Sequence, residues 1–300
     1  MNDRTNNHPG LTFRQDYFAD GAAWTAFVAL LQDTFGIDID PLQRLGGPDP
    51  SCRPFGWFDA NGTLVANLAA FAMPLMINGR MVRAAAFQSG AVRPAWRGRG
   101  LYRDVTQRAL GWCETGGFEA IVLYTDKPAL YEPYGFHSLP LHLHTGAAPA
   151  PTRAGTPSRS LDPSTPGDLT LLQGALETRT PVSDGFAVCE SAAMFPINTQ
   201  FDTDIQLSWL EAEQAVIAWK TDGAGRFILL DVVAQTIPSL AAILGGLDVR
   251  PDVADVLFRP DKLAWTGKPE PLDGATRFMI KADFPVALDA PAMLSPMADF

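Results

Sequence analysis

The segment Ala91-Val92-Arg93-Pro94-Ala95-Trp96-Arg97-Gly98-Arg99-Gly100-Leu101-Tyr102-Arg103 constrains the fold of this chain more than any other. An extended apolar run ends at Val92, a basic loop with two glycines follows, and Leu101, Val105, Ala109 and Trp112 then recur at helical spacing. A helix therefore starts directly after a glycine-bearing turn. The first N–H groups of a helix lack intrahelical partners, and glycines let such a turn approach an anion closely. Arg93, Arg97, Arg99, Arg103 and Arg108 surround this point, with Asp104 the one acid between positions 93 and 108. In a chain of 300 residues and net charge -10, that is a local reversal of sign. A pyrophosphate is the simplest ligand for such a turn. The spacing is neither a dinucleotide GxGxxG nor a GxxxxGK(S/T) phosphate loop, because only Gly98 and Gly100 are present.

The frame around the turn is a helix over 22–35, with Ala23, Phe27, Leu30, Leu31 and Phe35 on one face, then strands at Phe55–Asp59 and Leu64–Met73. Asn61-Gly62 marks a hairpin between them, and a second turn at Asn78-Gly79 leads into an extended run from Met81 to Val92. After the helix that Gly116-Gly117 ends come an apolar strand, Ile121–Tyr124, a short helix from Pro128 through Tyr131, and a strand from Leu139 to His144. Residues 145–167, rich in Pro, Gly, Ala, Ser and Thr, read as an exposed connector. Beyond it the spacing predicts helices over 168–179 and Pro238–Leu247. Strands are predicted at Ala215–Lys220, Arg226–Ala234, Val253–Phe258 and Arg277–Lys281.

With 47% hydrophobic residues the chain can bury a sizeable core. Its charge is uneven: residues 1–144 hold 12 basic and 13 acidic residues, and residues 145–300 hold 11 and 20. That balance argues against nucleic acid or an anionic membrane surface as a partner. No run of about 18 apolar residues and no apolar leader in Met1–Asn7 are found, so a cytoplasmic protein without a membrane span is expected. Cys52, Cys113 and Cys189 are far apart with no CxxC pair, which points to neither a zinc site nor a disulfide framework. His142 and His144 alternate with Leu141 and Leu143, so both are expected to face one way, outward.

Arg97-Gly98-Arg99-Gly100-Leu101-Tyr102 resembles the (Arg/Gln)-x-x-Gly-x-(Gly/Ala) signature of the GNAT superfamily of acetyl-CoA-dependent N-acetyltransferases, except that Tyr102 replaces the small residue. Val92-Arg93-Pro94 resembles that family's Val-x-Pro lead-in, and Tyr131-Glu132-Pro133-Tyr134-Gly135-Phe136 its Tyr-x-x-x-Gly-Phe segment. The resemblance covers roughly residues 10–145. The bulky Tyr102 and the long C-terminal half are similar to the Eis-like branch, in which a degenerate second domain follows. The implied fold is α/β with a mixed sheet (α+β): a GNAT acyl-CoA N-acyltransferase domain at 1–145, a linker at 146–167 and a degenerate GNAT-like α+β domain at 168–300. Residues 168–300 contain no Arg-x-x-Gly.

The resemblance implies acetyl-CoA as co-substrate and no metal. The diphosphate would rest on the turn formed by Arg97, Gly98, Arg99, Gly100, Leu101, Tyr102 and Arg103, and the pantetheine arm would pair with Ala91 and Val92. Tyr131 matches the family's general acid, and Tyr134 is the lesser candidate. The glutamate that many relatives carry before the signature is absent, since the segment reads Ala85-Ala86-Phe87-Gln88-Ser89-Gly90. Candidate bases are then Asp126, His137 and a C-terminal carboxylate at Phe300, because Eis-like enzymes end in an aromatic residue and the tail here is apolar. Trp57, Phe71 and Phe87 could line a pocket or pack a core, and Cys113 reads as a buried structural thiol. The implied partner is a small-molecule or peptide amine. The acidic second half suits a cationic one, such as an aminoglycoside or polyamine; the oligomeric state stays open. The rival expectations are a catalytically weak acyl-CoA-binding or sensing module, and transfer of a different acyl group.

Overall fold

A computed structural model describes residues 8–152, 156, 158–190 and 193–300; the leader expectation at Met1–Asn7 and part of the expected connector lie outside the described residues. In chain order the first half runs β1 (Leu11–Gln15), α1 (Gly21–Phe35), β2 (Arg53–Asp59), β3 (Leu64–Ala72), β4 (Leu75–Ile77), β5 (Arg80–Val82), β6 (Ala84–Val92), α2 (Leu101–Thr115), β7 (Ala120–Thr125), β8 (His137–Ser138) and β9 (His142–Ala147). The second half continues with β10 (Arg159–Leu161), α3 (Pro166–Thr178), β11 (Phe186–Val188), α4 (Met194–Phe201), β12 (Gln206–Leu210) and β13 (Ala215–Thr221). It ends with β14 (Phe227–Val233), α5 (Leu240–Leu247), β15 (Val253–Val256), β16 (Lys268–Pro271) and β17 (Arg277–Ala282).

Two seven-stranded mixed sheets result, in the orders β1-β2-β3-β6-β7-β17-β8 and β10-β12-β13-β14-β15-β9-β16. A three-stranded sheet, β11-β4-β5, lies beside them. Each large sheet contains one parallel pair, and a helix makes each crossover: α2 links β6 to β7, and α5 links β14 to β15. The second sheet thus repeats the strand–helix–parallel-strand unit of the first. The helix starts differ, however. Ser239 caps α5 by accepting from the Ala242 N–H, whereas α2 begins at Gly100 with no side-chain cap.

The expected division at 145–167 does not separate the sheets. β9 leaves the first half to pair with β15 and β16, and β17 returns from the second half to lie between β7 and β8. Part of the expected connector is also structured, since Gly146 and Ala147 belong to β9 and Arg159–Leu161 forms β10 on β12. The exchange buries apolar strands that would otherwise be edges: Met279 and Ile280 of β17 are fully buried.

Other departures have local causes. The expected run from Met81 to Val92 breaks at Arg83, whose backbone N–H goes to the Glu119 carboxylate at 3.0 Å instead of to a strand. The expected strand at Leu139–His144 is split because Pro140 has no N–H to give a ladder. His144 does not face outward. It is buried, packed near Gly267 and Trp265 in the segment that covers β9, and burial lowers its affinity for a proton. α1 forms as expected, with Asp20 capping Ala22 and Ala23 and Gly36 ending it in the left-handed region. Along α2, Leu101, Val105, Ala109 and Cys113 make the buried stripe, while Trp112 packs half-buried on Phe118. Burial pushes the Cys113 thiol up to about 12, as suits a structural residue.

Candidate active site

The site begins with a flaw in the first sheet. β6 follows β7 in parallel register only from Ala84↔Ala120 to Phe87↔Leu123, so among the described residues the edge of β6 from Gln88 onward has no strand beside it on that side. On its other side β6 stays paired with β3, but the register shifts between Asn67 and Ala69. One extra residue is accommodated there, with Ser89 in the left-handed region at φ 57°. Asn67, fully buried inside an apolar strand, holds this bulge: its amide donates to Ser89 O at 2.9 Å and its oxygen accepts from the Tyr17 hydroxyl. Sequence reasoning missed Asn67 and Ser89. Their signals were a lone amide in Leu64–Ala72 and a Ser-Gly pair within a strand.

The bulge bends β6 away from β7, and a cleft of about 860 Å³ opens in the gap. Ala91, Val92, Arg97, Gly98, Gly100, Leu101, Tyr102 and Arg103 all line it, and so do Tyr131 and Phe300. Arg99 is the exception among the expected residues. Its guanidinium lies over the Trp96 ring, 4.6 Å from the centroid, and donates to Ala95 O at 3.3 Å. Two of the five arginines are committed to structure: Arg93 pairs with Asp33, and Arg108 pairs with Asp104 while lying 3.9 Å over Phe13. Arg97, Arg99 and Arg103 are exposed and form no ion pair among the described residues. Gly98 and Gly100 have φ of 75° and 79°, and a Cβ at either would meet no protein atom. An uncapped helix start, two open glycines and unpaired cations together make a seat for an anion. The phosphate-bearing coenzyme A moiety fits it.

Tyr131 sits between two 3-10 turns, Pro128–Leu130 and Glu132–Tyr134, with its ring buried against Phe136. Its hydroxyl and that of Tyr102 are hydrogen-bonded to each other. Burial raises both phenols above the ordinary tyrosine value, and the Tyr102 hydrogen bond pulls Tyr131 part of the way back. The bulky residue at the signature's last position is therefore accommodated at Gly90, where any Cβ would collide with the Tyr102 hydroxyl. Tyr134 is half-buried and does not line the cleft.

The far wall comes from the C-terminal segment. Met293, Leu294, Met297 and Ala298 are buried, so the tail is docked. Ser295 caps Met297 and donates to Asp231, which forms a buried ion pair with Arg179 at 2.6 Å. Asn198 on α4 donates to Asp299 O, and the Phe300 ring packs edge-on against Phe71 and tilted against Tyr124. Asp299 reaches water in the cleft, yet the protein around it pushes its carboxyl above the usual carboxylate range. Of the other base candidates, Asp126 lines the cleft and His137 does not. Phe87 lines it too, whereas Trp57 is fully buried and donates to Asp104, and Phe71 is buried beneath Phe300.

A mixed sheet that splits beside an anion seat is the arrangement that the resemblance in the sequence implies. Residues 19–138 match the family model described as an acetyltransferase (GNAT) domain. Its fold is similar to that of Eis1 from Mycobacterium abscessus, with 16% identity, a TM-score of 0.60, and coverage of 91% of this chain and 73% of that one. It is also similar to a conserved protein of unknown function from Enterococcus faecalis (10% identity, TM-score 0.61, 91% and 72% covered). A GCN5-related N-acetyltransferase from Kribbella flavida is a third (15% identity, TM-score 0.55, 92% and 72% covered). No curated protein matches the sequence significantly. Among the described residues no helix is long and apolar enough to cross a membrane, and no group of three or more ligating side chains is poised for a metal.

Proposed function

We propose that this protein transfers an acetyl group from acetyl-CoA to a primary amine by direct attack, with both substrates bound in the one cleft. The observation that carries this reading is that a single cleft is lined by the uncapped start of α2, the unpaired edge of β6, Tyr131 and Phe300. In this reading the diphosphate lies on the backbone N–H groups from Gly98 to Arg103, with Arg97 and Arg103 beside it and Arg99 adding charge from outside. The pantetheine arm runs along Ala91 and Val92 as an added strand. The amine gives up a proton to the α-carboxylate of Phe300, its nitrogen bonds to the thioester carbon, and the carbon–sulfur bond breaks. Tyr131 donates its phenolic proton to the departing thiolate. The phenol is protonated throughout the neutral range and so holds the proton it has to give. A cytoplasmic setting goes with this reading, since acetyl-CoA is drawn from that pool.

The deciding experiment is free-thiol release from acetyl-CoA across a panel of primary amines, with the N-acetylated product identified by mass. Amine-dependent release with matching product is expected. Acetyl-CoA binding with no release from any amine would replace this reading with that of an acyl-CoA-binding module. Faster release from a longer acyl-CoA would keep the chemistry and change the acyl group.

A further inference from the structure

The wall of the cleft has a character that overall charge did not predict. Phe35 at the end of α1, Ile37 just beyond it and Phe201 at the end of α4 all line the cleft, and they are 49%, 39% and 48% exposed. One exposed apolar side chain is unremarkable, but three lining one cleft are not scattered surface residues. Leu31 and Ile39, both buried, and half-buried Met194 line the same cleft. The charge is sparse by comparison. Of the acidic side chains after residue 144, only Asp299 among the described residues lines the cleft, next to Phe300 and the α-carboxylate that the acetyl-transfer reading uses. The other lining acid, Asp126, has the Lys127 ammonium 3.5 Å away. The excess negative charge of the second half therefore lies elsewhere on the molecule. A polycation in this cleft would leave most of its ammonium groups without a counter-charge while losing water, which is costly. A single ammonium beside Phe300 and Asp299, with an apolar body against Phe35, Ile37 and Phe201, meets no such cost.

We infer that the acceptor is a monoamine on an apolar body, an alkylamine or arylalkylamine, and not an aminoglycoside or polyamine. This rests on the acetyl-transfer reading above. The test is kcat/KM for butylamine, pentylamine, hexylamine and 2-phenylethylamine against kanamycin and spermidine, at saturating acetyl-CoA. A buried methylene is worth about fourfold, so kcat/KM should rise roughly fifteenfold from butylamine to hexylamine. The polycations should fall at least about tenfold below hexylamine. Phe35→Ser and Phe201→Ser should each flatten the chain-length slope while leaving acetyl-CoA affinity unchanged. Calorimetric titration of the same alkylamines into protein saturated with free coenzyme A should show the same order. A flat slope, or kanamycin or spermidine as the best acceptor, overturns the inference and leaves acetyl transfer standing. A flat amine slope with a steep gain from acetyl-CoA to octanoyl-CoA also overturns it, by assigning the apolar wall to the donor chain. Absence of thiol release with every amine and every acyl-CoA removes both readings.

Discussion

Replacing Tyr131 by phenylalanine deletes one hydroxyl from a ring that is otherwise fixed by Phe136 and the flanking 3-10 turns. The fold should survive. The Tyr102 hydroxyl loses its partner in a position that burial already perturbs, which costs about 1–3 kcal/mol. The kinetic cost is larger. Loss of a general acid lowers kcat by roughly 10²–10⁴, or about 2.7–5.5 kcal/mol of barrier. The lower end applies here, because burial makes Tyr131 a weaker acid than the thiol it protonates, with an ordinary pKa near 8.5. The hydrogen bond from Tyr102 offsets part of that handicap by stabilising the phenolate as the proton leaves. Tyr102→Phe should therefore lower kcat by about tenfold and move any alkaline limb of the pH profile upward. If Tyr102 acts through Tyr131, the double variant should be no slower than Tyr131→Phe alone. Single-turnover acetyl transfer, with acetyl-CoA affinity measured separately by calorimetry, separates chemistry from binding. Near-native single-turnover rates in Tyr131→Phe would return this residue to core packing, and additive losses in the double variant would deny the coupling.

Gly100→Val should weaken acetyl-CoA by roughly 10–100-fold, the equivalent of one charge-assisted contact, and cost about 1–2 kcal/mol of stability because a β-branched residue would sit at φ 79°. Arg97→Ala should weaken the same titration measurably and Arg99→Ala hardly at all, since only Arg97 lines the cleft. Asp299→Asn should raise Tm near neutral pH and leave it unchanged near pH 4. The folded state raises this carboxyl's pKa, so the stability it confers is complete below its ordinary value of 3.8 and is lost as pH climbs through the raised one. Equal Tm for both proteins at every pH would contradict that. One alanine added after Phe300 should displace the carboxylate by about 3.5 Å and lower kcat/KM by roughly 10²–10⁴ with Tm unchanged. Full activity in that variant would move the base to Asp126 or to water.

The parts legible in the sequence were those written locally. α2, its glycine turn and β7 each declare themselves within a dozen residues, through a 3.6-residue period, positive-φ glycines or an apolar run. The cleft's other wall was not legible in that way. Asp299 and Phe300 reach it through contacts with Asn198, Phe71 and Tyr124, all distant in sequence. His144 failed for the same reason. Alternation correctly put it on one face with His142, but the segment that covers that face arrives more than a hundred residues later. β4, β5 and β11 are three residues each, too short for any period to register.

The strand exchanged between the sheets bears on how the chain is made. β17 lies between β7 and β8, so the first sheet cannot close until residue 282 has been synthesised, 157 residues after the end of β7. At about 5–20 residues per second, the nascent chain carries an open apolar edge at β7 for roughly 8–30 s. Until then that edge can recruit the wrong strand, and a neighbouring chain on the same message offers an identical one. A fragment ending at residue 145 would hold every signature residue in permanent possession of that open edge. It would lack the strand that closes the sheet, and Thr276, Asp299 and Phe300 would be missing from the cleft wall.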